Sequence, residues 1–428
     1  MNRVGVISIA AAGALTLGVN QAAAQTVFKW LTASPSPQSW NNPKNWDQVW
    51  TPWSPGDIAD LSQTDITVDM EVQLLPHPII IGTLRMGDTS GNQKYSISSP
   101  GGDKTLTFNV NVGNPLIRFG GTETNGEHRL DQLAAVKLQL DLAIVGNATN
   151  PGVGANLAFG TVGPATAQDA RIITYNGQID WAGRSANTGE ARPMVSFGAS
   201  NSCVKMIANN GVFNAGKSAA SNLGALPGDF MADFLTLNGG GVRSGGPAGT
   251  VLTFEANRGI TLGVNGGVLW PGSAAQPMTF NSVISGIGKL YSIGVPGNQG
   301  TNTLNAVNTY TGETVVRHST LVIGSAGSIV HSPTVSVYSN ATLRLEQDHA
   351  LASSAAVRLF SNAGSDHGKV DLAFTGVQAV NELSLDGAFV RGSWGSTSSG
   401  AAHKSDTWFV AGSTGILQTP VGFLITVR

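Results

Sequence analysis

Thr303-Leu304-Asn305-Ala306-Val307-Asn308-Thr309-Tyr310-Thr311-Gly312-Glu313-Thr314-Val315-Val316 leads through Arg317-His318-Ser319 into Thr320-Leu321-Val322-Ile323-Gly324. Runs of β-branched and apolar residues alternate here with Asn, Thr and Gly, the residues of tight turns. The same grammar recurs on both sides. Phe234-Leu235-Thr236-Leu237-Asn238 and Gly259-Ile260-Thr261-Leu262-Gly263 are strand-length runs. Thr334-Val335-Ser336-Val337-Tyr338 turns at Ser339-Asn340 into Ala341-Thr342-Leu343-Arg344-Leu345. Upstream, Asp65-Ile66-Thr67-Val68-Asp69-Met70 and Thr105-Leu106-Thr107-Phe108-Asn109-Val110-Asn111-Val112 alternate polar and apolar, which buries one face and solvates the other. Such strands cannot bury an apolar face alone, so they predict the stacked turns of an all-β solenoid. The alternative is one or two β-sandwiches, whose clear hairpin signals are missing here. Turns of about 20–25 residues, stacked at about 4.8 Å, give a rod of roughly 70–90 Å. Leu130 to Val145 reads two ways: Leu133, Val136, Leu140 and Ile144 have helical spacing, whereas Lys137-Leu138-Gln139-Leu140-Asp141-Leu142 alternates. It is assigned as strand.

The opening stretch resembles the autotransporter-associated β-strand repeat, with Leu304, an Asn308-Thr309-Tyr310-Thr311-Gly312 core, Thr314-Val315 and a Thr320-Leu321 ending. Ile284-Ser285-Gly286-Ile287-Gly288-Lys289-Leu290 is similar to the lead-in of that repeat. Glu313 and Ser319 stand where the family commonly has Gly, and both are expected at turns or exposed positions. The flanks agree. Trp40-Asn41-Asn42-Pro43-Lys44-Asn45-Trp46 with Pro55-Gly56-Asp57-Ile58-Ala59 resembles the N-terminal segment of large secreted bacterial proteins with this repeat. Leu383-Ser384-Leu385-Asp386-Gly387, Gly392-Ser393-Trp394-Gly395-Ser396 and Thr414-Gly415-Ile416-Leu417 resemble their closing module. The resemblance implies a right-handed parallel β-helix at or beyond the surface of a bacterium with an outer membrane. No C-terminal membrane barrel of alternating strands is expected in this chain.

Met1-Asn2-Arg3, the apolar run Val4 to Val19 and Ala22-Ala23-Ala24 follow the order of a secretory signal peptide, expected to span 1–24. The remainder divides into 25–119 (a Trp-rich cap and first strands), 120–350 (the solenoid body, with the repeat at 284–324) and 351–428 (the closing module). Lys and Arg number 24 against 26 Asp and Glu, with no long basic run. A nucleic-acid partner, which needs a positive stripe, is therefore not expected, nor is a transmembrane segment in the mature chain. Cys203 is the single cysteine, so no internal disulfide can form. A lone thiol is either buried or bridged to another chain, and its neighbours Ser202 and Val204 favour burial.

Catalytic chemistry has little to stand on. Sugar hydrolysis needs two carboxylates at controlled separation, and the densest polar group is Asp180, Arg184, Glu190 and Arg192, which reads as a solvated loop. His318 and His331 fall on neighbouring turns, and Asp366-His367 would point to opposite strand faces, so no metal site is assigned. Gly239-Gly240-Gly241 and Gly266-Gly267 lack the Asp residues of calcium-binding repeats. No cofactor is expected. Trp30, Trp40, Trp46 and Trp53 form either an end cap or a surface for stacking sugars. Phe423, Leu424, Ile425 and Val427, in the final β-prone run, are the candidate assembly edge. The expectation is a non-enzymatic secreted structural or surface protein, with itself, other surface components or polysaccharide as partner. The alternative is a carbohydrate-binding or polysaccharide-degrading β-helix.

Overall fold

The computed structural model describes residues 25–420, except 36, 102–103, 123–126, 147–155, 165–170, 178–193, 199–200, 203–204, 216–219 and 363–365. The signal-peptide expectation, Cys203, the Asp180-Arg184-Glu190-Arg192 group and the Phe423-to-Val427 edge lie outside the described residues.

The chain is nearly all β. Its strands form three long sides built from parallel neighbours one turn apart in sequence, except that the second side ends in an antiparallel pair, Glu382–Leu385 with Ala388–Val390. The first side has ten strands, from Val27–Lys29 to Ile284–Gly286, and the second has fifteen, from Gln38–Ser39 to Ala388–Val390. The third side consists of two sheets. One has four strands between Ile79–Ile81 and Val162–Pro164, and the other has six between Leu252–Phe254 and Lys369–Leu372. Chain order takes the sides in rotation: Arg258–Leu262, Gly267–Trp270, Met278–Phe280, then back to the first side at Ile284–Gly286. That topology is compatible with a solenoid. Among the described residues there is no α-helix, and none long and apolar enough to cross a membrane.

Inward-facing residues make one continuous, mainly apolar column. On the second side Leu290 pairs with Thr314, Thr314 with Val335, Val335 with Val357 and Val357 with Leu383, and all five are buried. Late turns keep the expected length, since Gly267 to Leu290 spans 23 residues and Thr314 to Val335 spans 21. Early turns exceed it, with 33 residues from Ser96 to Arg129 and 38 from Leu157 to Val195. The corners take up most of the extra chain, and the register shifts between Arg129 and Gln132 against Ser96 and Ser98. Leu130 to Val145 touches all three sides through Glu127–Gln132, Ala135–Leu138 and Leu142–Gly146. Its helical spacing is an accident of two successive corners.

The repeat core performs identifiable work. The Asn308 side chain accepts from the Ile284 amide (2.9 Å) and donates to the carbonyls of Ala306 (2.7 Å) and Ser328 (3.1 Å). Thr309 and Thr311 amides bond to Ile284 and Gly286 carbonyls, so the core extends the first side without forming a regular strand. A Cβ at Gly312 would run into the Gly288 carbonyl, which is why this corner needs glycine. Ser319 corrects the expectation of a turn or exposed position. It is fully buried at the start of strand Ser319–Ile323, where its hydroxyl donates to the Ser292 carbonyl (2.9 Å). A hydroxyl satisfied by the previous turn can replace glycine inside this coil. Glu313 is half-buried beside Lys289 (2.8 Å) and Ser336 (2.6 Å). Burial alone would raise its pKa, but these two partners outweigh that and hold it below the usual carboxylate value.

Candidate binding surface at the tryptophan-rich end

Residues 30–53 split the early tryptophans into two classes. Trp30, Trp40 and Trp46 are fully buried, whereas Trp50 and Trp53 are 71% and 69% exposed. The buried three form one cluster. Trp46 stands edge-on to Trp30 (5.0 Å, 84°) and to Trp40 (5.1 Å, 65°), with Phe28 completing the contact. Edge-to-face packing suits the ring quadrupoles and adds to the area buried. Each indole N–H is satisfied within the chain: Trp30 donates to the Thr32 carbonyl (2.7 Å), Trp40 to Pro52 (2.9 Å) and Trp46 to Trp40 (2.7 Å). These rings present no free face to a sugar.

The backbone around them covers the outer edge of the first side. Trp30 and Trp46 form an antiparallel bridge, flanked by Leu31 N–H to Asn45 carbonyl and Asp47 N–H to Lys29 carbonyl, both 2.9 Å. A 3-10 turn over Pro43–Asn45, capped by the Asn42 side chain, folds the segment back. Buried Asn45 ties it down by donating to the Ser39 carbonyl and accepting from Thr32, both at 2.9 Å.

The exposed pair rides on a loop pinned at both ends. Trp40 holds Pro52 from below, and Asp57 Oδ2 accepts from the amides of Trp53 (3.1 Å) and Ser54 (3.0 Å). Val49 and Leu31 are also exposed. Sequence reasoning grouped Trp53 with its buried neighbours because tryptophan spacing does not report which rings turn inward.

The histidines separate as well. His318 is buried in the left-handed region (φ 46°) between two strands, and His331 is exposed. The His318 pKa is lowered by burial and then by the nearby Arg317 charge. No group of three or more His, Cys, Asp or Glu able to hold a metal occurs among the described residues. Asp366 and His367 form a short antiparallel strand and line an open cleft with Asn340, Lys369, Asp406 and Thr407. The cleft was missed in the sequence because its residues come from three separate stretches, at 340, 366–369 and 406–407. Comparison with known protein families, characterised proteins and solved structures finds no match.

Proposed function

We propose that this chain is a secreted, non-enzymatic structural protein of the bacterial surface. In this reading it is a right-handed β-solenoid closed by a cap at Trp30–Trp53 and by a module after residue 351. The observation that carries it is the contrast between an uninterrupted fifteen-stranded side and its differently built ends. At the start, the Trp46 segment covers a strand edge. At the finish, Asp386-Gly387, both with positive φ, reverse the chain, so that Ala388–Val390 runs antiparallel to Glu382–Leu385. Residues 408–410 meanwhile bond along Val370 (2.9 Å at both amides) and cover the third side. Covered or reversed edges prevent uncontrolled sheet growth. Such a protein is suited to act as a spacer of roughly 70 Å, and association into fibres or a surface layer would proceed through its ends.

Electron microscopy of the mature chain over a concentration series tests this reading. Rods of that length, or ordered assemblies built from them, are expected. Globular particles of smaller dimension would refute it. Trp46→Ala is expected to cost about 3–5 kcal/mol, by cavity formation, and to expose the coil end, measured as lost solubility and a lowered denaturation midpoint.

A second reading, carbohydrate binding, is favoured by the pinned, exposed Trp50 and Trp53. Trp50→Ala with Trp53→Ala should leave the melting temperature unchanged and abolish retention on a polysaccharide affinity gel. Unchanged retention on every gel that holds the parent protein would remove the platform from consideration.

A further inference from the structure

The cleft at the opposite end of the coil has a definite chemistry. Its volume is about 610 Å³, and six residues from three separate parts of the chain line it. Asn340, held at φ 58°, donates from Nδ2 to Asp366 Oδ2 (3.0 Å). Lys369 Nζ donates to the Asp406 carbonyl (2.9 Å). The Asp406 carboxylate is turned away onto Thr397, accepting from its amide (2.8 Å) and hydroxyl (2.6 Å). His367 stands edge-on to Trp408 at 4.5 Å and 89°. The walls are therefore fixed by bonds within the protein.

What remains uncommitted is a mixed set. Asp366 Oδ1 and Asn340 Oδ1 are acceptors with no other hydrogen bond among the described residues. The remaining ammonium hydrogens of Lys369, the Thr407 hydroxyl and an imidazole N–H of His367 are donors. A bare cation asks for converging acceptors and is repelled by Lys369. An inorganic anion asks for donors alone and is repelled by Asp366. A ligand whose every group both donates and accepts fits this set, and vicinal hydroxyls on a neutral ring have that property.

We infer that this cleft binds one unit of a neutral saccharide, with Asp366 and Asn340 accepting from its hydroxyls and Lys369 and Thr407 donating to them. The site is separate from the tryptophan platform, and a purely structural rod could carry it. Together the two would let one molecule hold glycan at both ends, about 60 Å apart at the stacking distance of strands.

Calorimetric titration of the full chain tests the assignment, in a Trp50→Ala, Trp53→Ala background so that only the cleft reports. The probes are linear hexasaccharides of glucose, mannose and galactose, hexagalacturonate, and calcium chloride alone. Binding of a neutral hexasaccharide at one site per chain is expected. Asp366→Ala and Thr407→Val should each weaken it about tenfold or more, while Asp366→Asn, which keeps an acceptor, should weaken it less. Should Asp366→Ala fail to fold, the exposed Thr407→Val decides. Absence of neutral binding, affinity unchanged in the variants, or heat from hexagalacturonate or calcium alone would each overturn the inference.

Discussion

Two stretches of the second side solve the same packing problem with different chemistry. Between Asn156 and Ala215 the turns are irregular in length, and their interior is aromatic. Phe159 stacks on Phe197 (5.5 Å, 12°), Phe197 meets Phe213 (5.9 Å), and Tyr175 closes on Phe213 (5.9 Å). Between Gly267 and Leu359 the turns are short and even, and polar ladders enter the core. Asn302 donates to Ser292 (2.8 Å), Ser292 and Ser319 share a bond (2.8 Å), and Tyr310, Thr314 and Ser332 form a chain (2.7 and 2.9 Å). Large rings tolerate corners of variable length because dispersion has no strict geometry. Buried hydroxyls and amides need partners within about 3 Å, which an even turn length supplies at each step. In the late turns regular spacing and polar filling go together, while the early turns carry polar bonds among Asn176, Asn209 and Asn238 and between Asn214 and Ser196.

This contrast can be broken from either side. The largest effect is expected from Phe197→Ala, at the centre of the stack: a loss of about 3–5 kcal/mol, read from urea denaturation. A loss below about 1 kcal/mol would mean the early turns do not depend on their rings. Ser319→Ala should cost less, about 1–2 kcal/mol, because Ser292 loses one partner and keeps Asn302; differential scanning calorimetry would detect it. A stabilised variant would show that the polar ladder is dispensable.

The smallest effects sharpen the corner between the late strands. His318 occupies a left-handed conformation that asparagine adopts with less strain, as Asn210 and Asn340 do elsewhere. His318→Asn should therefore stabilise by up to about 1 kcal/mol. The same residue gives a pH signature. Its folded pKa lies below the ordinary value of 6.5, so the unfolded chain takes up the proton first. Stability contributed by the neutral imidazole is complete above that ordinary value and falls as pH drops toward the lowered one. His318→Asn should flatten this slope. Asp386 and Asp406, held below the usual carboxylate range chiefly by hydrogen bonds from Ser361 and Thr397 hydroxyls, act in a lower window, from about pH 4 downward. A slope that survives His318→Asn between pH 7 and 5 would assign it to another group.

Much of the fold is legible in the residues themselves. The runs at 320–323, 334–337 and 342–345 coincide with strands Ser319–Ile323, Thr334–Val337 and Thr342–Leu345. The alternation in 105–112, by contrast, is strand only over Thr105–Phe108, and that in 65–70 reaches a strand only at Met70. The candidate surfaces are less legible. Trp50 and Trp53 differ from Trp40 and Trp46 only in which way the loop faces. Asn340, Asp366 and Asp406 meet because three turns stack, and no local pattern encodes that meeting.

The sequence by itself determined that this chain is built of short strands and tight turns, because period-two alternation and glycine placement act on neighbouring residues. Only the tertiary structure decided which side chains are exposed, that Ser319 lies in the core, and that a polar cleft exists at all. Those outcomes depend on residues 20–40 positions apart in the chain arriving one strand spacing from each other, about 4.8 Å. That distance is set by stacking.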